Sequence, residues 1–246
     1  MARFFLPKEN IRDRHGIITG AELDHLRKVL RLGPGDRVTL FDDGGWEHEA
    51  VIRSLGAAQG EIEIARSYRS ERDSPLPITL ALGLTKGEKM DFVVEKATEL
   101  GVQAIAPLIS QFTVPKLDTR KMAQRTERWQ KIALSAAKQC GRTRVPEVCP
   151  LVDFQDFVKQ PRPATLKLLF WEKEQEQTLH QVQAQERQVD AVALMIGPEG
   201  GFSAPEANAA QEQGFRAVGL GRRILRAETA AVTALALVQF IWGDLG

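Results

Sequence analysis

The sequence predicts an α/β protein in two parts, a small β-barrel followed by a mostly parallel sheet with helices on both faces. Residues 1–70 contain short runs in which polar and apolar residues alternate, the two-residue period of half-buried strands. From residue 78 onward, short apolar runs alternate with helical patterns, which is typical of parallel strands joined by helices. The polar, proline-bearing stretch 70–77 favours a linker, so we predict two domains, 1–72 and 73–246.

The N-terminal part is predicted to consist of strands joined by tight turns. An apolar strand at 38–41 runs into the turn 42–45, and alternating residues continue over 47–55 and 61–65. A helix at 21–31 interrupts the strands. It carries leucines on one face and basic residues on the other: Leu23, Leu26 and Leu30 against His25, Arg27, Lys28 and Arg31. This pattern favours a small barrel that carries one basic helix.

The C-terminal part is predicted to alternate strands and helices. Ser203–Glu206 is a capping box with Pro205 in the first turn, so a helix begins there and ends at Gly214. The last helix, 227–242, is largely apolar and is expected to be buried. The other predicted strands are 78–85, 104–109, 166–171, 191–196 and 215–219, and the other predicted helices are 88–100, 121–139 and 176–188.

Two glycine-containing loops follow the last two predicted strands. The first is Ile-Gly-Pro-Glu-Gly-Gly-Phe-Ser at 196–203, and the second is Leu-Gly-Arg-Arg-Ile-Leu-Arg-Ala-Glu-Thr-Ala at 220–230. Ligands bind at the carboxyl ends of parallel strands, and glycine lets the backbone approach a ligand closely. The loops therefore predict a pocket lined mainly by main chain, and Arg222, Arg223 and Arg226 indicate that an anionic group comes to it.

Several familiar sites are excluded by their missing residues. Neither loop has the lysine and hydroxyl of a P-loop, the dinucleotide fingerprint is absent, and there is no Gly-x-Ser-x-Gly elbow. The histidines and cysteines show no metal-ligand spacing, so no metal is expected. Two cysteines, Cys140 and Cys149, suit a reducing cytoplasm, and neither a secretory signal nor an apolar run of membrane-spanning length is present.

The two loops closely resemble the signature loops of the RsmE family. Three further segments are similar to segments of that family: 27–32, 95–102 and 139–147. The family comprises bacterial enzymes that methylate N3 of a uridine in 16S ribosomal RNA with S-adenosylmethionine as donor. The resemblance implies a SPOUT methyltransferase domain with a trefoil knot, through which the final helix is threaded, and an N-terminal PUA-like RNA-binding barrel. Ala227 departs from the family pattern, which has threonine there in many members.

The resemblance also implies the site residues. The loop residues expected to contact the methyl donor are Ile196, Gly197, Pro198, Glu199, Gly200, Leu220, Gly221, Ile224 and Leu225. Glu199 has an alternative role, in which its carboxylate accepts backbone N–H groups and orients the loops. For catalysis we predict Arg226 as the cation that favours the uridine anion and Glu228 as a weaker candidate for a general base. The alternative for Glu228 is a favourable interaction with the N-terminus of the last helix.

The expected partner is 16S rRNA or the 30S subunit, with a homodimer formed through the knot in the cytoplasm. The residues predicted to bind RNA are Arg3, Arg27, Lys28, Arg31, Arg142 and Arg144. The stretch 115–145 holds nine basic and two acidic residues, and both a phosphate-binding stripe and a solvated helix face fit it. Two other functions stay open: a SPOUT methyltransferase acting on another RNA, and a non-catalytic rRNA-binding or assembly protein.

Overall fold

The computed structural model describes residues 1–113, 118–160 and 166–246. The chain divides into two compact units. The first contains Met1–Asp73 together with Ala137–Val145, and the second contains Ser74–Ala136 and Pro146–Gly246. Nothing in the sequence pattern indicated that a stretch as distant as Ala137–Val145 packs with the N-terminal unit. Lys116, the first basic residue of the stretch 115–145, lies outside the described residues.

The first unit is built on a six-stranded sheet with the strand order β1-β4-β5-β6-β3-β2. Only β1 and β4 pair in parallel, and the other neighbours are antiparallel. One apolar core, which includes Phe4, Leu40 and Ile62, is buried against it. The strands predicted at 38–41, 47–55 and 61–65 are confirmed as β4, β5 and β6. The strands are β1 Ala2–Phe5, β2 Ile11–Arg12, β3 His15–Thr19, β4 Arg37–Phe41, β5 Trp46–Leu55 and β6 Gln59–Arg69.

The helix of the first unit changes its hydrogen bonding part of the way along. It begins as α1, Gly20–Asp24, and continues as a π-helix over His25–Val29. Leu23 and Leu26 are buried as the leucine spacing predicts, but Leu30 is 41% exposed. Leu30 departs from the other two leucines because a π-helical turn contains more residues than an α-helical turn and rotates the next side chain away from their face.

The second unit is built on a parallel sheet with the main strand order β10-β8-β7-β12-β11-β13, and β9 also pairs with β8. Its central strands carry apolar side chains on both faces, which is typical of a sheet covered by helices on both sides. The strands are β7 Ile78–Gly83, β8 Ala104–Ile109, β9 Glu147–Val148, β10 Val152–Asp153, β11 Leu166–Phe170, β12 Val192–Ile196 and β13 Arg216–Val218.

The helices of the second unit follow the predicted alternation with small differences. α5 is shorter than the predicted 176–188 because a capping box between Thr178 and Gln181 begins it. Helix α4, Phe154–Lys159, and the two-residue strands β9 and β10 were not predicted from the sequence.

No helix among the described residues is long and apolar enough to cross a membrane. The helices are α2 Lys89–Glu99, α3 Thr119–Cys140, α4 Phe154–Lys159, α5 Leu179–Gln185, α6 Ala204–Glu212 and α7 Ala227–Trp242.

The parallel arrangement brings four loops to one edge of the second sheet. β7, β12, β11 and β13 are neighbours in that order, so the segments that leave their carboxyl ends lie side by side. The loops after β7 and β12 touch through their backbones: a Cβ added to Gly83 would overlap Pro198 and Gly197. This edge therefore holds the first glycine loop between the end of β7 and the segment that follows β11.

Candidate active site

A cavity of about 470 Å³ lies at the carboxyl edge of the second sheet. Both glycine loops line it, together with Lys89 at the start of α2, the last residue of β11 (Phe170) and residues 171, 172 and 174 after that strand. All nine loop residues expected to contact the donor are among the lining residues, and so is Arg226. The structure therefore brings together in one place the two loops that lie about twenty residues apart in the sequence.

The first glycine loop is packed so tightly that its three glycine positions have no room for a side chain. A Cβ on Gly197 would lie 2.8 Å from the carbonyl carbon of Gly201. A Cβ on Gly200 would lie 2.8 Å from the Cβ of Phe112. Gly201 has a φ of +71°, in the left-handed region, and a Cβ there would overlap the carboxylate of Glu172. The glycines of this loop are thus required by close packing as well as by ligand access.

Glu199 ties the first loop to the segment between β7 and α2. Its Oε1 accepts a hydrogen bond from the backbone N–H of Lys86 at 3.0 Å and one from the ammonium of Lys89 at 3.0 Å. Burial raises the pKa of Glu199, but these N–H donors outweigh it, so the pKa lies below its ordinary value. This geometry matches the orienting role weighed for Glu199 in the sequence analysis.

The capping box anchors the far end of the first loop. The Ser203 hydroxyl accepts from the Glu206 N–H, while Glu206 Oε2 accepts from the Ser203 N–H at 2.9 Å, as the sequence predicts. The structure adds a contact that local pattern does not reveal: Glu206 Oε1 accepts the N–H of Gln111 at 2.7 Å. One buried carboxylate therefore caps α6 and holds the loop after β8.

The second glycine loop is open. Gly221 has a φ of +88°, and apart from its two chain neighbours no described residue has an atom within 4 Å of a Cβ placed there. Ile224 is 84% exposed although it lines the cavity, so its side chain lies at the cavity mouth. Arg226 is the exposed N-cap residue of α7, and no described residue forms an ion pair or hydrogen bond with its guanidinium. A guanidinium in that state is available to an incoming anion.

Glu228 lies in the first turn of α7, between the cavity-lining residues Ala227 and Ala230, but is not itself a lining residue. Its Oε2 is buried, has no hydrogen-bond partner among the described residues and lies 4.0 Å from Nζ of Lys89. This placement fits the alternative role, a negative charge at the N-terminus of a helix. The role of Glu228 as a general base stays a prediction.

The segment after β11 forms a third wall of the cavity that the sequence analysis missed. The Trp171 indole N–H donates to the carbonyl of Phe202 at 3.1 Å, which fixes this segment to the first loop. Glu172 and Glu174 both line the cavity. The signal available in the sequence was the acidic run Glu172-Lys173-Glu174 directly after a predicted strand.

Two arginines predicted to bind RNA have a different role in the first unit. Arg3 is paired with Glu47 at 2.8 Å, donates to the carbonyls of Ala137 and Arg142, and stacks on Phe41. Arg142 is buried, with its Nε 3.5 Å from Asp73. Burial lowers the pKa of Arg142, and the charge of Asp73 opposes that shift. These protein partners and the burial of Arg142 make contacts with phosphates unfavourable, so we propose no RNA contact for Arg3 or Arg142.

The other four predicted RNA-binding residues are exposed. Arg27 donates to the carbonyl of Gly56 at 2.8 Å, and Lys28 forms a surface ion pair with Asp24 at 2.8 Å. Surface contacts of this kind contribute little and are easily exchanged for a ligand. Arg31 and Arg144 are also exposed. For these four side chains, RNA binding stays a prediction that their exposure permits.

Fold and site together define a class: an α/β RNA methyltransferase whose N-terminal unit is a PUA domain. The chain matches the profile of the RNA methyltransferase domain family over residues 72–239. It matches the RNA methyltransferase PUA domain family over residues 18–64. Among solved structures, it is similar to a methyltransferase from Legionella pneumophila in complex with S-adenosylmethionine, with a TM-score of 0.91 and 37% identity over 99% of both chains.

The relatives identify the family within this class. The ribosomal RNA small subunit methyltransferase E of Synechocystis is 35% identical over 96% of this chain and 77% of its own length. That of Neisseria gonorrhoeae, solved bound to S-adenosylmethionine, has a TM-score of 0.90 and 36% identity over 100% of both chains. The chain belongs to the ribosomal RNA small subunit methyltransferase E family, abbreviated RsmE. The predicted family, the enzyme class and the SPOUT fold class are confirmed.

Proposed function

We propose that this chain transfers the methyl group of S-adenosylmethionine to N3 of a uridine in 16S rRNA of the small ribosomal subunit. The observation that carries the proposal is the cavity between the two glycine loops, in a chain that is similar along its whole length to relatives solved with this donor. Arg226 is exposed beside that cavity and has no partner among the described residues, which supports an anionic acceptor.

The residues of the cavity fit the donor. A volume of about 470 Å³ is within the roughly 300–1,000 Å³ of small-molecule sites. Gly221 is exposed and has no side chain, so its backbone groups are accessible for hydrogen bonding to adenine and ribose, and Gly197 also lines the cavity. Ile196, Leu220 and Leu225 supply apolar surface for the adenine ring.

Bound S-adenosylmethionine supplies a methyl group on a positively charged sulfur, which an electron-rich nitrogen displaces in line. Uridine N3 becomes such a nitrogen only when it loses its proton. Arg226 stabilises the resulting anion, because its guanidinium stays charged and can hold a uracil oxygen through hydrogen bonds. The tightly packed first loop keeps the donor aligned with that acceptor.

Binding of rRNA rests on the exposed basic side chains. Arg27, Lys28 and Arg31 on the helical segment of the first unit and Arg144 are suited to phosphate contacts, which position RNA without reading its sequence. Replacing Arg27, Lys28 and Arg31 together by glutamine is expected to weaken RNA affinity strongly and to reduce its salt dependence. Filter binding over a series of salt concentrations measures both, and an unchanged salt slope would contradict this assignment.

We propose a homodimer that works on the small subunit in the cytoplasm, where that subunit is assembled. The family expectation of dimers is supported by apolar side chains exposed on α7, with Phe240 64% exposed and Leu237 39% exposed. Such a patch is typical of an association surface. Light scattering of the purified protein measures the mass, and Phe240→Glu is expected to yield monomers. A wild-type mass of one chain would overturn the dimer.

The function is tested by supplying labelled S-adenosylmethionine together with unmethylated 30S subunits, free 16S rRNA or tRNA. Digestion and mass spectrometry then identify the labelled nucleoside. 3-Methyluridine from the 30S subunit or from 16S rRNA is the expected result, and the comparison tells which of them is the substrate. Label only in tRNA would favour a methyltransferase for another RNA. Donor binding without any transfer would favour an rRNA-binding or assembly protein.

A further inference from the structure

We propose that Glu172 is the donor-binding carboxylate that holds the positively charged part of S-adenosylmethionine. The proposal rests on the proposed function, since it names a contact to that donor. Of the two acids in the glycine loops, Glu199 is bonded to Lys86 and Lys89, and Glu228 is absent from the cavity lining. The segment after β11, which carries Glu172, forms the third wall of the same cavity.

The charges around the cavity create the need for such a residue. The donor has two positive groups, a sulfonium and an ammonium, and one carboxylate, so it enters with a net positive charge. The described lining already includes four basic side chains, Lys89, Arg222, Arg223 and Arg226. These cations would repel the donor unless a carboxylate lies close to its positive groups.

Two of the three acids in the described lining are already used by the protein. Glu199 accepts from the N–H of Lys86 and from the ammonium of Lys89. Glu174 Oε1 accepts the backbone N–H of Glu176 at 2.8 Å and that of Gln177 at 3.0 Å, so it closes its own turn. Both carboxylates are held in place by these bonds, whereas Glu172 has no such bond to any described residue.

Glu172 differs from Glu199 and Glu174 in its exposure and contacts. It is exposed, it lines the cavity, and its carboxylate forms no hydrogen bond or ion pair with any residue in the described part of the chain. It lies over Gly201, in the space that a side chain at that position would fill. The preceding residue, Trp171, is fixed by its bond to the Phe202 carbonyl, so the carboxylate is held at the cavity without being neutralised.

The test measures dissociation constants by calorimetry without RNA, for S-adenosylmethionine and for S-adenosylhomocysteine, which lacks the sulfonium charge. Glu172→Gln is expected to weaken binding of S-adenosylmethionine about tenfold. Glu172→Asp, which keeps the charge on a shorter side chain, is expected to lose less. Glu176→Gln is the matched control, since it makes the same charge change in the same segment at an exposed residue outside the cavity lining.

The two ligands separate the possible results. A larger loss for S-adenosylmethionine than for S-adenosylhomocysteine assigns Glu172 to the sulfonium, and equal losses assign it to the ammonium that both ligands carry; either result supports the proposal. Unchanged affinity for both ligands in Glu172→Gln would overturn it, and a fall in turnover alone would then assign Glu172 to the chemistry. If the wild-type protein binds neither ligand, the proposed function itself fails.

Discussion

The two glycine loops of the cavity look alike in sequence but differ in how the protein holds them. In the first loop, added Cβ atoms at Gly197, Gly200 and Gly201 would all overlap neighbouring atoms. In the second, Gly221 faces open space and Ile224 is almost fully exposed. The first loop is therefore part of the folded framework, whereas the second loop presents its side chains to a ligand that enters the cavity.

The largest expected effect comes from Arg226→Ala in the second loop. Loss of a cation that stabilises the developing anion is expected to lower kcat about 100-fold or more. The donor dissociation constant should not rise, because Arg226 is not among the residues expected to contact the donor and its positive charge opposes donor binding. Single-turnover kinetics and calorimetry measure the two quantities, and Arg222→Ala provides a control for loss of charge in the same loop. Near-normal turnover would contradict the assignment of Arg226.

Gly197→Ala tests the framework role of the first loop. The new Cβ would meet backbone atoms of Gly201 and Phe202 at 2.8–3.0 Å, and backbone cannot swing aside as a flexible side chain can. We expect a loss of about 1–3 kcal/mol in the free energy of unfolding, with loss of donor binding. Urea unfolding and calorimetry check both. If Gly197→Ala is as stable as the wild type, the first loop is not more tightly packed than the second.

Lys89→Met removes the ammonium that lies 3.0 Å from Glu199 and 4.0 Å from Glu228. Because Lys89 is partly exposed, we expect a loss of about 1 kcal/mol in the free energy of unfolding rather than the larger cost of a fully buried pair. Donor affinity should fall modestly, since the first loop loses one of its two anchors at Glu199. Lys89→Arg is the charge-preserving control. An unchanged donor affinity would show that the Lys86 N–H alone orients Glu199.

Gly221→Ala tests whether the second loop tolerates a side chain where the first loop does not. The added methyl group meets no atom within 4 Å, so only the left-handed φ of +88° opposes it. The expected loss is about 1 kcal/mol in the free energy of unfolding, less than for Gly197→Ala. Thermal or urea unfolding of the two variants side by side decides the order. A larger loss at Gly221 would reverse the assignment of framework and open loop.

The smallest expected effect is an acid sensitivity of the first loop. The pKa of Glu199 in the folded protein lies below its ordinary value of 4.5, so its stabilising contribution is complete above pH 4.5. It is lost as the pH falls through the lower folded pKa. The stability difference between wild type and Glu199→Gln, followed by unfolding at several pH values, should narrow below pH 4.5. If the stability difference does not change with pH, the ionised carboxylate of Glu199 does not stabilise the first loop.

The sequence pattern alone predicted those features that depend on residues close together in the chain. The strands β4 to β8, the Ser203–Glu206 capping box and the two glycine loops all follow from spacing within a few residues. The roles of Arg3 and Arg142 did not follow, because the partners that bury them, Glu47 and Asp73, are far away in the chain. An isolated arginine in a sequence does not reveal whether a carboxylate will meet it.

The walls of the cavity show the same limit. Lys89 and Glu172 line it, yet neither belongs to a glycine loop, and they reach it only because β7 and β11 both flank β12 in the sheet. Strand order is set by packing of the whole domain and cannot be read from strand positions along the chain. Similarly, the exposure of Leu30 depends on a π-helical turn that the leucine spacing does not predict.

The discontinuous first unit sets the order in which the protein can complete its folding during synthesis. Arg3 donates to the carbonyl of Ala137, Lys138 pairs with Glu22, and Asp73 accepts the N–H of Thr143. A ribosome that has released only the first 73 residues has therefore produced a unit that lacks these partners. The N-terminal unit is completed only after the strands β7 and β8 of the second unit have already been made.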